Sequence, residues 1–203
     1  PIYPLTLVFV NTGLEYPEIQ HFVNDYAVWL QKQFPRIDVQ LVRLRPKMNI
    51  RQVIAKYGYS IVSKEVANCV YLARKNGNKS RLARLRGELL TPDGRKSPFC
   101  CDNWKYLLYA PFRVSDECCH IMKKSTAHRY ESTSKLRSMT AMMAEESRQR
   151  MIKWQKTGCN AFDGKRPMSK PMSFWTEQDV LAFLKGENIP YCSVYGEIVA
   201  SDG

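Results

Sequence analysis

Four short stretches of this 203-residue chain carry side chains able to do chemistry. The first is Asn11-Thr12-Gly13, directly after an apolar run at residues 5–10. In an open α/β sheet, ligands bind beyond the carboxyl ends of the strands, where loop backbone and helix N-termini are free. On three residues alone, the same triplet reads equally as a plain turn with glycine at positive φ. The second stretch is Glu145-Glu146-Ser147-Arg148-Gln149-Arg150. Arg148 and Arg150 can grip phosphate or sulfate oxygens with forked donors. Ser147 can add a hydroxyl contact, and Glu146 can accept from a base or ribose. The alternative is a solvated, charged helix start.

The other two are vicinal thiols. Cys118-Cys119 is followed by His120 and by Lys123-Lys124. Adjacent residues diverge by about 100° around a helix, so the pair suits a polynuclear cluster better than one zinc ion. Iron–sulfur clusters take such thiolates, and nearby lysine charge balances the anionic assembly. A helix start would also lower the thiol pKa through the helix dipole. Two inert packed cysteines are the competing reading. Cys100-Cys101 is the rival pair, while Cys69, Cys159 and Cys192 stand alone. His21, His120 and His128 are too scattered for a standard metal pattern, and neither a nucleophile elbow nor a Walker-type loop occurs.

These residues need a scaffold. Residues 5–10 read as a strand buried on both faces. Pro17 suits a first helical turn, and Ile19, Phe22, Val23, Tyr26, Ala27 and Leu30 recur at helical spacing. Residues 39–44 then read as a second strand, so a right-handed crossover and a parallel sheet are expected. Asn49 caps a short helix ending at Gly58, and Ser63 caps another ending at Gly77. A helix is expected from Ser115 towards Tyr130, a strand at residues 136–143, and a last helix capped by Thr176 with Asp179. Arg74, Lys75, Lys79, Arg81, Arg84 and Arg86 follow one another with no acidic residue between them. That density of like charge predicts an exposed excursion outside the sheet, serving either a nucleic-acid contact or solubility.

Composition narrows the classes. A formal charge of +12 admits a nucleic acid, an acidic membrane surface or a phosphorylated small molecule as partner. No apolar run approaches the roughly 20 residues of a membrane-spanning helix. No signal peptide is visible, so seven cysteines point to reduced thiols, a metal or redox chemistry in a cytoplasmic setting.

Taken in order, the segments resemble the phosphoadenosine phosphosulfate (PAPS) reductase family, of the adenine-nucleotide α-hydrolase-like fold and in particular its phage and mobile-element members. Val8-Phe9-Val10-Asn11-Thr12-Gly13-Leu14-Glu15-Tyr16-Pro17-Glu18 is similar to the family's strand, Asp-Thr-Gly turn and helix start, with Asn11 in place of Asp. Cys118-Cys119 with Lys123 resembles its cluster-bearing element, with Met122 where Arg is usual. Glu146-Ser147-Arg148-Gln149-Arg150 resembles its substrate loop, with Ala141 and Met143 at the usual upstream Gly and Arg. Gly158-Cys159-Asn160-Ala161-Phe162-Asp163, then Lys170-Pro171-Met172-Ser173-Phe174-Trp175-Thr176-Glu177-Gln178-Asp179-Val180, resemble the family's ending.

The resemblance implies one α/β domain over residues 1–203, a Rossmann-like parallel sheet flanked by helices, with residues 71–103 a helical, basic insertion. It implies an adenine nucleotide (PAPS, APS or ATP) held by Asn11, Thr12, Gly13, Glu146, Ser147, Arg148 and Arg150. Both loops would then lie together at the carboxyl edge of one sheet. It implies a four-iron four-sulfur cluster on Cys118 and Cys119, with Lys123 beside it, and a thioredoxin-like thiol donor. The family's phosphate loop and late Cys-x-x-Cys do not occur in these residues. The expectation is a chain shortened at both ends, its nucleophilic cysteine beyond Gly203 and no catalytic residue assignable within it. Two further activities share the pattern: an ATP pyrophosphatase acting in sulfur transfer or nucleic-acid modification, and a non-catalytic nucleic-acid-binding protein of a mobile element.

Overall fold

The computed structural model describes residues 2–164 and 166–198. The chain is mixed α/β and divides into two compact units. One comprises residues 1–9, 14–43 and 128–203; the other comprises residues 10–13 and 44–127. No helix among the described residues is long and apolar enough to cross a membrane.

The first unit opens with β1 (Tyr3–Val10), α1 (Pro17–Gln33) and β2 (Ile37–Leu44). Pro17 occupies the first turn of α1, where its missing N–H costs no hydrogen bond. The two strands pair in parallel: Tyr3 N donates to Arg36 O at 2.9 Å, and Asn11 N donates to Leu44 O at 2.8 Å. β1 differs from its expectation, because none of its residues is buried and Val8 is 44% exposed. Among the described residues β1 pairs with β2 alone, in a two-stranded sheet, so it is not the central strand that its apolar run suggested.

The same unit continues through α6 (Ser125–Ser134), β3 (Ser138–Met139), α7 (Arg148–Thr157), β4 (Asn160–Ala161), β5 (Met168–Ser169) and α8 (Glu177–Gly186). The strand expected at residues 136–143 shrinks to β3, which pairs in parallel with β5; β4 pairs antiparallel on the other side of β5. The rest of the run, residues 140–143, is irregular. Thr176 and Asp179 form the expected capping box: Asp179 N donates to Thr176 Oγ1 at 3.2 Å and Thr176 N to Asp179 Oδ2 at 2.8 Å. The Thr176 N–H and then its hydroxyl, both donating to Asp179 Oδ2 at 2.8 Å, hold the Asp179 carboxyl below its usual range.

In the second unit α2 (Ile50–Tyr57) and α3 (Lys64–Asn76) carry the expected caps, Asn49 accepting from Gln52 N and Ser63 from Val66 N. α4 (Lys79–Arg86) follows, then a 3₁₀ helix at Asp102–Leu108. The core here is Ala67, Cys69, Val70, Ala73, Leu85, Cys101, Leu107 and Val114. Residues 74–86 are helical and outside the sheets, as expected, but they are no excursion: Leu85 is fully buried and Arg84 nearly so. The charge is tolerated because its partners come from distant sequence. Arg84 Nη2 lies 2.5 Å from Glu65 Oε1, and Arg84 Nε donates to Phe99 O at 2.8 Å. A buried guanidinium with an anion and a carbonyl on its donors avoids the cost of an unpaired charge.

A short parallel bridge organises the other end of this unit. Tyr59 N donates to Arg113 O at 2.8 Å and Ser115 N donates to Tyr59 O at 3.0 Å. Gly58 makes the approach feasible. Its φ is +109°, and a Cβ there would fall 2.5 Å from the Arg113 carbonyl carbon and oxygen.

Candidate functional site

The Asn11-Thr12-Gly13 turn is held by Gly13 N donating to Asn11 Oδ1 at 2.9 Å, with Gly13 at φ +80° and Thr12 buried. That is an Asx turn closing β1, and Gly13 is the residue it requires. The expectation that this turn and residues 146–150 leave one sheet is not met. β1 belongs to the two-stranded sheet, whereas β3, upstream of Glu146, belongs to the three-stranded one. The turn falls in the second compact unit and residues 146–150 in the first.

Within the first unit, residues 146–150 form the start of α7. Ser147 is the N-cap, its Oγ accepting from Arg150 N at 3.3 Å. Arg150 and Glu146 form an ion pair one turn apart, and Glu146 Oε1 also accepts from Met143 N at 2.9 Å. Arg150 is therefore committed internally. Arg148 forms no ion pair among the described residues and is exposed.

This loop is stitched to a second segment. Thr140 N donates to Ser169 O at 3.0 Å, Ala144 N to Ser173 O at 2.9 Å, and Glu177 N to Glu145 Oε2 at 2.8 Å. Residues 140–145 thus run beside residues 169–177, so two stretches singled out separately in the sequence become neighbours. Between them lie two features that sequence reasoning missed. Lys170 is only 4% exposed, and no carboxylate pairs with it among the described residues. Among the described residues, Thr140 Oγ1 is buried and finds no hydrogen-bond partner. Buried polar groups are normally satisfied. No periodicity marks Lys170, which sits in a Ser-Lys-Pro turn.

The vicinal thiols lie in the second unit. α5 (Glu117–Cys119) leads into a π turn at His120–Lys124, closed by Ser125 N donating to His120 O. Ser60 Oγ stands 2.8 Å from Ser115 O and 3.2 Å from Cys118 Sγ, an arrangement set by the Tyr59 bridge. Cys119 is exposed, yet its pKa is raised: partial burial and then the adjacent Cys118 thiol outweigh the lysines at positions 64 and 123. The lowering expected of a helix start is therefore not found at Cys119. Lys123 acts on Cys119 as the smallest of these influences. Two sulfurs are half of a four-thiolate set, and no group of three or more potential metal ligands gathers among the described residues. A nearby depression of about 330 Å³ is lined by Lys64, Asp116, Glu117, His120 and Lys124.

The rival pair is split. Cys100 Sγ is 3.4 Å from Leu89 O, while Cys101 is buried with its Sγ 3.9 Å from Cys69 Sγ. Burial, then the neighbouring Cys69 thiol, push the Cys101 pKa up to about 11. The unfolded chain ionises this thiol earlier, so the native state loses stability as pH climbs from the ordinary thiol range towards 11. Urea midpoints should be flat with respect to Cys101 below about pH 8 and fall above it. The difference from a Cys101→Ala variant isolates the contribution; parallel curves for the two would refute it.

Compared with protein-family models and with curated proteins, the chain matches none of them.

Proposed function

We propose that this chain is a PAPS reductase-like protein with a Rossmann-like nucleotide fold, binding an adenine sulfonucleotide through its first unit. One observation carries the reading: residues 140–145, which lead directly into the segment similar to that family's substrate loop, are hydrogen-bonded to residues 169–177 of the segment similar to its ending. An anionic ligand fits the chemistry there. Among the described residues neither Arg148 nor Lys170 pairs with a carboxylate, and the α7 N-terminus favours negative charge. Ser147 caps the helix and so fixes the loop rather than the ligand. In such a reductase a thiolate attacks the sulfonate sulfur and expels the nucleotide as its phosphate, and a thiol carrier then displaces sulfite, the two thiols ending as a disulfide. The contribution of these residues is to hold and orient the nucleotide.

Equilibrium binding to the 203-residue chain tests this. PAPS or APS should bind more tightly than GTP, and Arg148→Gln should weaken that binding by about tenfold or more, the scale of one charge-assisted contact. Absence of binding to any adenine nucleotide, or an unaffected Arg148→Gln variant, would overturn the proposal. Preference for ATP over both sulfonucleotides would favour the ATP-pyrophosphatase alternative instead.

A further inference from the structure

The charge of the chain is divided unequally. The second unit holds 17 Lys and Arg against six Asp and Glu, while the first holds 14 against 13. Almost all of the +12 therefore belongs to residues 10–13 and 44–127. Within that unit, one surface combines the charge with aromatic rings. Tyr59 and Phe112 are 44% and 38% exposed, and their rings meet edge to face at 5.5 Å. The backbone beneath them is fixed by the Tyr59 bridge and by Gly58 against Arg113. Arg74 Nη1 donates to Phe112 O at 2.6 Å, and Arg113 Nη1 donates to Lys56 O at 3.1 Å. Lys56, Arg74 and Arg113 form no ion pair with a carboxylate among the described residues. Arg74 and Arg113 are thus tied to the backbone beside two exposed, backbone-anchored rings, and the Lys56 Nζ stands over the ring of Tyr57, two residues before Tyr59, at 5.3 Å.

We infer that this surface binds single-stranded nucleic acid, the rings stacking on splayed bases and the three cations meeting phosphates. Anchored rings lose little freedom on stacking, and every base offers a face, so the contact tolerates sequence. A duplex keeps its bases stacked on one another and can use only the cations. The inference is independent of the nucleotide site in the first unit, and the probe below contains no adenine.

Fluorescence anisotropy of the whole chain with a labelled oligothymidylate of about 20 nucleotides is the test. The affinity is expected to fall steeply between about 50 and about 200 mM salt. A duplex of equal length should bind at least about tenfold more weakly. Tyr59→Leu and Phe112→Leu should each weaken binding by about fivefold or more, and Lys56→Gln should lower the salt slope by about one. Equal affinity for duplex and single strand, no binding at low salt, or leucine variants that stay folded and bind unchanged would each overturn the inference. Should a leucine variant fail to fold, acetylation of the unaltered chain decides. Bound oligothymidylate must protect Lys56 relative to Lys185 of the first unit; equal reactivity at both sites overturns it.

Discussion

Gly58→Ala should unfold the second unit at markedly lower denaturant, with a loss of about 3 kcal/mol or more. Two costs add. The backbone at φ +109° and ψ near −179° belongs to a region that a Cβ renders strained. The new methyl would also sit 2.5 Å from the Arg113 backbone carbonyl, which cannot swing aside as a side chain could. Separating the strands would sacrifice the Tyr59 and Ser115 hydrogen bonds and move Ser60 from Cys118. Gly77→Ala is the matched control. Its φ of +56° is an ordinary left-handed cap, and nothing lies within 4 Å of the added Cβ. About 1 kcal/mol is expected there. Urea denaturation followed by circular dichroism compares the two, and equal losses would show that the close approach to Arg113 is unimportant.

Lys170→Met should separate stability from binding. The side chain is largely buried and no carboxylate pairs with it among the described residues, so a methionine of similar length keeps the packed stem and removes the charge. Stability is expected to change by less than about 1 kcal/mol. Nucleotide binding should meanwhile fall by about tenfold or more, because a partly desolvated cation interacts strongly with an incoming phosphate or sulfate. Thermal unfolding and nucleotide titration on the same preparation give both readouts. A variant that loses stability and keeps its affinity would show that Lys170 serves packing alone.

Local signals in this sequence were the ones that translated into structure. Asn49, Ser63 and Thr176 each cap the helix they were expected to cap, since capping is settled within four residues. The apolar spacing of α1 and its Pro17 start were equally readable. What escaped depends on pairs far apart in the chain. Residues 74–86 look like a surface run until Glu65 and the Phe99 carbonyl meet Arg84. Gly58 looks like a helix stop and is one, but its second role depends on Arg113, which no local pattern links to it. The candidate site was half legible: Ser147, Arg148 and Glu146 stood out by type, whereas Lys170 gains meaning only from its burial. The vicinal thiols were visible as a pair, but the raised pKa of Cys119 follows first from its partial burial, which spacing does not disclose, and then from the adjacent Cys118 thiol.

That π turn has a consequence for how this region can change by insertion or deletion. A π turn holds one residue more than the α-helical path between the same ends, which makes His120–Lys124 the natural place for a codon to be gained or lost. Loss of one residue there would leave a regular, stable helix, so the event would not be eliminated by misfolding. The flanking turns would keep their facing, because the bulge already absorbs the extra residue: Thr126, buried in the following turns, and Cys118, beside the Ser60 hydroxyl, would both stay where they are. Two descendants of one ancestor could thus differ in length by one residue here and still agree in what those cysteines touch.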